Sequence, residues 1–211
     1  MKAHFFAGTP KTLAAIDLAD IFAYRYRIFV ELLGWSIPGC TQGCEMDQFD
    51  TENTIYVYAR NDKGNICAHA RLLPTDKPYL LADVFPELMP DPSCPPPRSE
   101  KIWELSRYST RDLDAPVAST SSDGIDAWMC RALLAQCISY GIQHGAERLI
   151  TTSPAGIAKV MRQLNVTAYK AGPLTRVDGG RHSIFAQWID FDQKTLQSLD
   201  LQHLLLSKIA A

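Results

Sequence analysis

Two β-like runs joined by a short turn most constrain how this chain can fold. The runs are Thr54–Ala59 and Asn65–Leu73, and the turn Asn61–Gly64 between them has the Asn, Asp and Gly residues typical of a hairpin. These two strands should pair antiparallel. After them, predicted strands alternate with predicted helices, which indicates an α/β fold with a mixed sheet. A length of 211 residues favours a single domain over 1–211.

Hydrophobic periodicity predicts the other elements. Apolar residues at helical spacing predict a helix over Thr12–Trp35, with Gly34 as its C-cap. The proline-rich segment Pro86–Pro97 predicts irregular structure at the surface. Further strands are predicted at Ile102–Tyr108, Arg148–Thr152, Thr167–Lys170 and Ser183–Ile189, and further helices at Asp123–Gly145, Pro154–Leu164 and Gln193–Lys208.

Composition narrows the class of function. The formal net charge is -2, so the chain lacks the basic excess of a nucleic-acid binder. No run approaches the roughly 18 apolar residues that span a bilayer, and no apolar signal region follows the N-terminus. The six cysteines form no C-x-x-C pair, so we expect mostly reduced thiols and no metal site. We expect a cytoplasmic protein without nucleic-acid or membrane partners.

An acidic segment is the first candidate functional feature. Glu45, Asp47 and Asp50 lie within six residues, and their carboxylates repel one another unless cations lie among them. A substrate ammonium or sulfonium, or arginines of the protein, would meet that need. A solvated acidic loop is the simpler interpretation, and calcium is disfavoured because an EF-hand loop's glycine and distal glutamate are absent.

Basic and aromatic residues form the second feature. Arg25 and Phe29 are four residues apart and share a helix face, with Trp35 after them. This pattern fits either an arginine lying over core aromatic rings or a cationic wall beside a ring. Arg71, at the end of a predicted strand, is typical of a structural ion pair.

The strand Trp103–Arg107 carries the third feature. Because side chains alternate along a strand, Glu104 and Arg107 should face opposite ways unless a bulge intervenes. An acid within an apolar strand is costly to bury without a partner, which makes Glu104 a candidate general base.

Taken together, these motifs resemble the acyl-homoserine-lactone synthase (autoinducer synthase) family of bacterial quorum sensing. The resemblance covers roughly residues 20 to 110 and is looser beyond Tyr108. The matching residues, in order, are Arg25, Phe29, Trp35, Glu45, Asp47, Asp50, Arg71-Leu72-Leu73-Pro74-Thr75, Phe85 and Trp103-Glu104-Leu105-Ser106-Arg107.

The resemblance implies a GNAT-like acyltransferase fold, with a twisted mixed sheet flanked by helices. It also implies two substrates, S-adenosyl-L-methionine and an acyl chain on acyl carrier protein, with acyl-coenzyme A as a possible donor. Because S-adenosyl-L-methionine is a substrate, no cofactor is expected. Residues 1–110 would hold the S-adenosylmethionine site, and residues 111–211 would form the acyl pocket and the carrier-protein side.

Site roles follow from the resemblance residue by residue. The implied catalytic set is Glu104, Arg71, Glu45, Asp47, Asp50 and Arg107. The implied S-adenosylmethionine site comprises Arg25, Phe29, Trp35, Arg71, Phe85 and Arg107. Candidates for the acyl pocket are Trp103, Leu105, Met129, Leu133, Ile150, Thr151, Thr152 and Met161. Candidates for contact with the acidic carrier are Lys159, Arg162, Lys170, Arg176 and Arg181.

Two alternatives remain open at this stage. One is a GNAT-type N-acyltransferase that uses acyl-coenzyme A with another amine, although the usual pyrophosphate turn, Q/R-x-x-G-x-G/A, is absent. The other is a small-molecule sensor that keeps the pocket without turnover.

Overall fold

The computed structural model describes residues 3–115, 127–177, 180 and 182–204. Its strands are β1 (Ala3–Gly8), β2 (Ile55–Asn61), β3 (Ile66–Pro74), β4 (Ile102–Ser109), β5 (Arg148–Pro154), β6 (Ala168–Lys170), β7 (Thr175–Val177) and β8 (His182–Asp190). Its α-helices are α1 (Ala15–Arg25), α2 (Leu80–Asp83), α3 (Ala127–Gln143), α4 (Ile157–Gln163) and α5 (Gln193–Ser198). A π-helix spans Tyr26–Leu32, and a 3-10 helix spans Pro86–Leu88.

The structure divides into two compact units, each built from two stretches of sequence. The first comprises the described residues of Met1–Leu72 and Arg107–Leu133, and the second those of Leu73–Ser106 and Leu134–Ala211. Each unit draws on both 1–110 and 111–211. A single functional domain over the whole chain stays a prediction.

The predicted hairpin is the centre of the first unit. Strands β2 and β3 pair antiparallel with Tyr56 opposite Arg71 and Tyr58 opposite His69, and β1 adds to the other edge of β2. Strand β1 was absent from the sequence prediction. Most of its residues are exposed or half-buried, so it lacks the apolar signal of a core strand.

One continuous helical segment covers the β2–β3 hairpin, but it is shorter than predicted. Helix α1 begins at Ala15, and the π-helix follows without a break; Leu33 N–H donates to the carbonyl of Ile28 and Trp35 N–H to that of Phe29. Such wide turns are rare, and they are frequently found at functional sites. Gly34 ends the segment at φ +67°, which confirms its C-cap role. The core beneath comprises Ile21, Tyr24, Ile28, Phe29, Tyr56, Tyr58 and Ile66.

The second unit contains the mixed sheet. Strands β4 and β5 run parallel, while β8 pairs antiparallel with β5, β6 and β7. The α/β class is therefore confirmed. Gly172 packs against the end of the 3-10 helix Pro86–Leu88 so closely that an added Cβ would lie 1.8 Å from the Leu88 carbonyl oxygen. Only glycine fits there.

The C-terminal prediction was wrong in length. Helix α5 begins where the Asp192 side chain accepts a hydrogen bond from Thr195 N–H at 2.8 Å. It ends at Ser198, because Asp200 adopts φ +58° and the helical path cannot continue. Residues 205–208 of that prediction and 123–126 of the predicted helix Asp123–Gly145 lie outside the described residues.

Candidate active site

Six buried charged side chains form a single cluster in the first unit. Three are arginines and three are carboxylates, and their side chains are at most 5% exposed. We call this set the charge cluster. Its members are Arg25, Glu45, Asp47, Asp50, Arg71 and Arg107.

Arg25 anchors the two ends of the acidic segment. Its Nε donates to Glu45 at 2.5 Å, and its two terminal nitrogens donate to Asp50 at 2.7 and 2.9 Å. The residue is fully buried, so it is not an arginine that reaches out to solvent. Arg25 occupies this position because it ends α1 directly before the π-helix.

The other two arginines bind the middle of the segment. Arg71 donates bidentately to Asp47 at 2.6 and 3.0 Å, and also lies 3.2 Å from Asp50. Arg107 donates from Nε and Nη2 to Glu45, and from Nη2 to Asp47 at 2.8 Å. Such forked arginine–carboxylate pairs fix geometry as well as charge.

The cluster is electrically balanced, with three positive and three negative groups. The acidic segment is therefore neither a solvated loop nor a set of carboxylates awaiting a substrate cation, because arginines of the protein already neutralise it. Three carboxylates this close would otherwise repel one another strongly.

The ion pairs determine the protonation state of the carboxylates in the charge cluster. Burial alone would raise the pKa of Glu45, but the hydrogen bond and charge of Arg25, with the charge of Arg107, lower it. Burial also acts to raise the pKa of Asp50, but the positive charges of Arg25 and Arg71 outweigh this effect. The pKa of Asp50 therefore lies well below its usual range. Both groups are anionic at neutral pH.

Arg107 also lies against aromatic rings. Its guanidinium carbon is 5.6 Å from the Phe29 ring centre and 5.7 Å from that of Trp35, and the two rings lie 4.9 Å apart. Phe29 is buried, whereas Trp35 is partly exposed. Arg107 has φ +51°, so the strand alternation that we predicted stops at this residue.

A cavity of about 580 Å³ adjoins this group. Trp35 lines it, and its other walls come from the π-helix and the segment after it. These walls carry no charged side chain; they include Tyr26, Val30, Ile37, Cys40, Thr41 and Gln42. The cavity and the charge cluster thus meet at Trp35.

Sequence reasoning missed two polar residues beside the cluster. The Tyr56 hydroxyl donates to Asp50 at 3.0 Å, and His69 is fully buried with Nδ1 3.1 Å from the carbonyl oxygen of Arg107. Burial and the nearby charge of Arg25 lower the pKa of His69 to about 3. A signal was available, because a histidine within a buried strand needs a hydrogen-bond partner.

Glu104 lies in the second unit and is fully buried. Its Oε2 accepts from Leu80 N–H at 3.1 Å and its Oε1 from Leu81 N–H at 2.8 Å. The carboxylate thus binds the N-terminus of α2, whose unpaired N–H groups favour an anion. A general-base role for Glu104 stays a prediction.

The remaining predicted site residues lie in several places. Phe85, half-buried, directly precedes the 3-10 helix in the second unit. Of the acyl-pocket candidates, Met129 and Leu133 belong to the first unit, and the second contains Trp103, Leu105, Ile150, Thr151, Thr152 and Met161. All of these are buried except Thr152, which is intermediate. Lys159, Arg162, Lys170 and Arg176 are exposed, and Arg181 lies outside the described residues.

The described part of the chain also shows the state of the cysteines, the arrangement of metal-ligating side chains and the character of the helices. All six cysteines are free thiols, and Cys130 and Cys137 are buried like small apolar residues. The described residues contain no cluster of three metal-ligating side chains. None of the helices in the described ranges is long and apolar enough to cross a bilayer.

Comparison with known proteins identifies the family. The family model described as autoinducer synthase matches residues 11–196. The chain belongs to the autoinducer synthase family. It is 40% identical over 197 residues to the acyl-homoserine-lactone synthase of Ralstonia solanacearum, with 93% of each chain covered. The predicted family and acyltransferase class are confirmed.

Solved structures agree with this assignment. The crystal structure of TofI in a ternary complex with an inhibitor and MTA is 38% identical, with a TM-score of 0.79 and coverage of 94% of this chain and 97% of that one. BjaI, a CoA-dependent acyl-homoserine lactone synthase solved with SAM and isopentyl-CoA, is 23% identical, with a TM-score of 0.79 and coverage of 96% and 90%. The latter bears on the fold alone. The GNAT-like fold predicted from the sequence is that of these synthases. The activity is that of an acyl-homoserine-lactone synthase, which makes a quorum-sensing signal.

Proposed function

We propose that the protein acylates the amine of S-adenosyl-L-methionine with an acyl chain delivered by acyl carrier protein. The amine nitrogen forms a bond to the thioester carbon, and the carbon–sulfur bond to the carrier breaks. The methionyl carboxylate then attacks its own γ-carbon, which expels neutral methylthioadenosine and leaves the acyl-homoserine lactone.

The observation that carries this proposal is the meeting of an uncharged, partly aromatic cavity with a buried charge cluster at Trp35. S-adenosylmethionine has the same two halves, a neutral adenosyl group and a charged methionyl group. Trp35 is suited to stack on the adenine, while Arg107 is suited to the carboxylate. Phe29 is almost fully buried, so its role is to support Trp35 and Arg107 rather than to cover the ligand.

Arg107 is the better candidate than Arg71 for binding the methionyl carboxylate. Both terminal nitrogens of Arg71 donate to Asp47, and the residue has no exposed surface. The Arg107 side chain is 5% exposed, and its Nη1 donates to none of the described residues. Arg71 and Arg25 would hold the acidic segment, which in turn orients Arg107.

Proton transfer requires a base. The amine is protonated at neutral pH and must lose a proton before attack, directly or through a water molecule. We assign this role to Glu104, three residues before Arg107 in β4. The departing thiolate takes up a proton as the carrier leaves.

Incubation of the purified protein with S-adenosylmethionine and a panel of thioesters tests the proposal. Carrier-protein and coenzyme A thioesters of equal chain length would be compared, with products identified by mass. We expect an acyl-homoserine lactone and methylthioadenosine in equal amounts, with the carrier-protein thioester preferred. Efficient turnover with coenzyme A thioesters alone would reject the carrier protein as donor. Absence of lactone with every thioester would reject the reaction.

The carrier should dock on a local basic surface, because a net charge of -2 cannot attract an acidic protein globally. Lys159 and Arg162 are exposed and three positions apart on α4. Replacing both with glutamate should raise the Michaelis constant for the carrier thioester at low salt and flatten its salt dependence. The affinity for S-adenosylmethionine should stay unchanged.

Lys63, exposed in the β2–β3 turn, provides the matched control. Lys63→Glu should leave the Michaelis constant for the carrier thioester unchanged. If the α4 double variant has the same constant and salt response as the control, docking on α4 is excluded. Lys170, Arg176 and Arg181 would then be the next residues to reverse.

A further inference from the structure

His69 makes a specific contact that the reaction scheme above does not use. Its Nδ1 lies 3.1 Å from the carbonyl oxygen of Arg107, and the side chain is fully buried. A carbonyl oxygen only accepts, so the proton of the neutral imidazole is on Nδ1. Nε2 is then an acceptor, and it has no hydrogen-bond partner among the residues that the structure describes.

The contact is made at an unusual point of the backbone. Arg107 has φ +51°, a left-handed conformation that is uncommon for a residue with a side chain. Such conformations persist only where the surroundings hold them. At Arg107 the guanidinium contributes to that hold by binding Glu45 and Asp47, and the carbonyl is held by His69.

We propose that His69 is a positioning residue, which fixes the left-handed backbone of Arg107 through the Nδ1–H···O bond and so aims the guanidinium at the substrate carboxylate. This inference rests on the proposed function, because it gives Arg107 a substrate to bind. It adds a residue whose side chain touches none of the reacting atoms.

Charge explains why a histidine suits this position. The charge cluster is already balanced, so a fourth cation beside it would be uncompensated. The pKa of His69 is lowered to about 3, first by burial and then by the charge of Arg25, so the imidazole stays neutral at working pH. It therefore supplies an N–H donor without adding charge.

Substitution of His69 by asparagine or by glutamine distinguishes the roles of its two ring nitrogens. The amide of asparagine reaches the position of Nδ1, whereas the longer glutamine places its amide near that of Nε2. We expect His69→Asn to keep the dissociation constant for S-adenosylmethionine within about threefold of wild type. His69→Gln and His69→Leu should raise that constant about tenfold or more, with a smaller change in kcat. Calorimetric titration without thioester measures binding separately from turnover.

Cys67→Ala is the matched structural control. Cys67 is buried two residues earlier in β3, and its thiol contacts the carbonyl of Ala59 rather than Arg107. This variant should lower the melting temperature without weakening binding of S-adenosylmethionine. The ¹⁵N spectrum of the wild-type imidazole should also report the Nδ1–H tautomer.

The outcomes are distinguishable. If wild-type protein neither binds S-adenosylmethionine nor makes lactone, the proposed function fails. If wild type is active but the Asn, Gln and Leu variants have the same dissociation constant for S-adenosylmethionine, only the positioning role of His69 is rejected. The same holds if the imidazole of wild type carries its proton on Nε2.

Discussion

Replacement of Arg25 by methionine is expected to lower the free energy of unfolding by about 3–5 kcal/mol, as for other buried ion pairs that lose one partner. Arg25 makes three hydrogen bonds to Glu45 and Asp50, and all three side chains are fully buried. Methionine fills similar space but leaves the cluster with one uncompensated negative charge. Urea unfolding of both proteins measures the difference.

Arg60 offers a control of the same residue type. It pairs with Asp17 and Asp20 at 2.6 and 2.8 Å, but its side chain is 19% exposed, so Arg60→Met should cost less than about 1 kcal/mol. Adding Asp50→Asn to the Arg25→Met chain restores charge balance and should recover part of the loss. Equal stability of the Arg25 and Arg60 variants would contradict the buried cluster.

The second large effect concerns Glu104. Glu104→Gln should lower kcat by about 10²–10⁴ if the carboxylate removes the amine proton. Although the amide is isosteric, we expect the replacement to disturb the structure as well. Both carboxylate oxygens accept backbone N–H groups, of Leu80 and Leu81, so the amide must direct its NH₂ at one of these donors. A loss of stability will accompany the loss of rate.

Dependence on pH separates the two effects. A free α-amino group has a pKa of about 8, so raising the pH to about 9 deprotonates the substrate without help. Turnover by the Gln variant should rise toward that of wild type over this range if Glu104 is the base. Tyr79→Phe is the control, because it removes the hydrogen bond to Pro97 just before α2 but leaves the carboxylate intact. A Gln variant whose deficit is the same at every pH would leave Glu104 a purely structural role.

The sequence was sufficient for elements that local pattern determines. The hairpin turn and the buried runs of β2, β3 and β4 are read from neighbouring residues, and their bounds agree with prediction to within two residues. Strand β1 and the short β7 were missed, because exposed strands of few residues carry little apolar signal. The π-helix was not predicted, because its wider hydrogen-bonding pattern cannot be recognised from the spacing of apolar residues in the sequence.

The site was harder to predict, because its geometry depends on distant pairs. Arg107 meets Glu45 across 62 residues of sequence, so the choice between substrate cations and protein arginines could not be made from spacing. The positive φ of Arg107 was equally hidden, since the residues around it read as an unbroken strand. The family motifs predicted which residues belong to the site, but not which side chains pair with one another.

The burial of His69 has a further consequence for acid tolerance. In the unfolded chain an imidazole takes up a proton near pH 6.5, whereas in the folded chain its pKa is about 3. Between these values the unfolded state binds more protons, so stability is complete above pH 6.5 and declines as the pH falls toward 3. Between pH 7 and pH 4.5 this one group lowers the free energy of unfolding by roughly 2–3 kcal/mol. Unfolding measured at both pH values should show a larger decline in wild type than in His69→Asn, because the carboxylates with lowered pKa values, Glu45 and Asp50, contribute to the decline in both proteins. Mild acidification would therefore reduce signal synthesis by destabilising the folded enzyme.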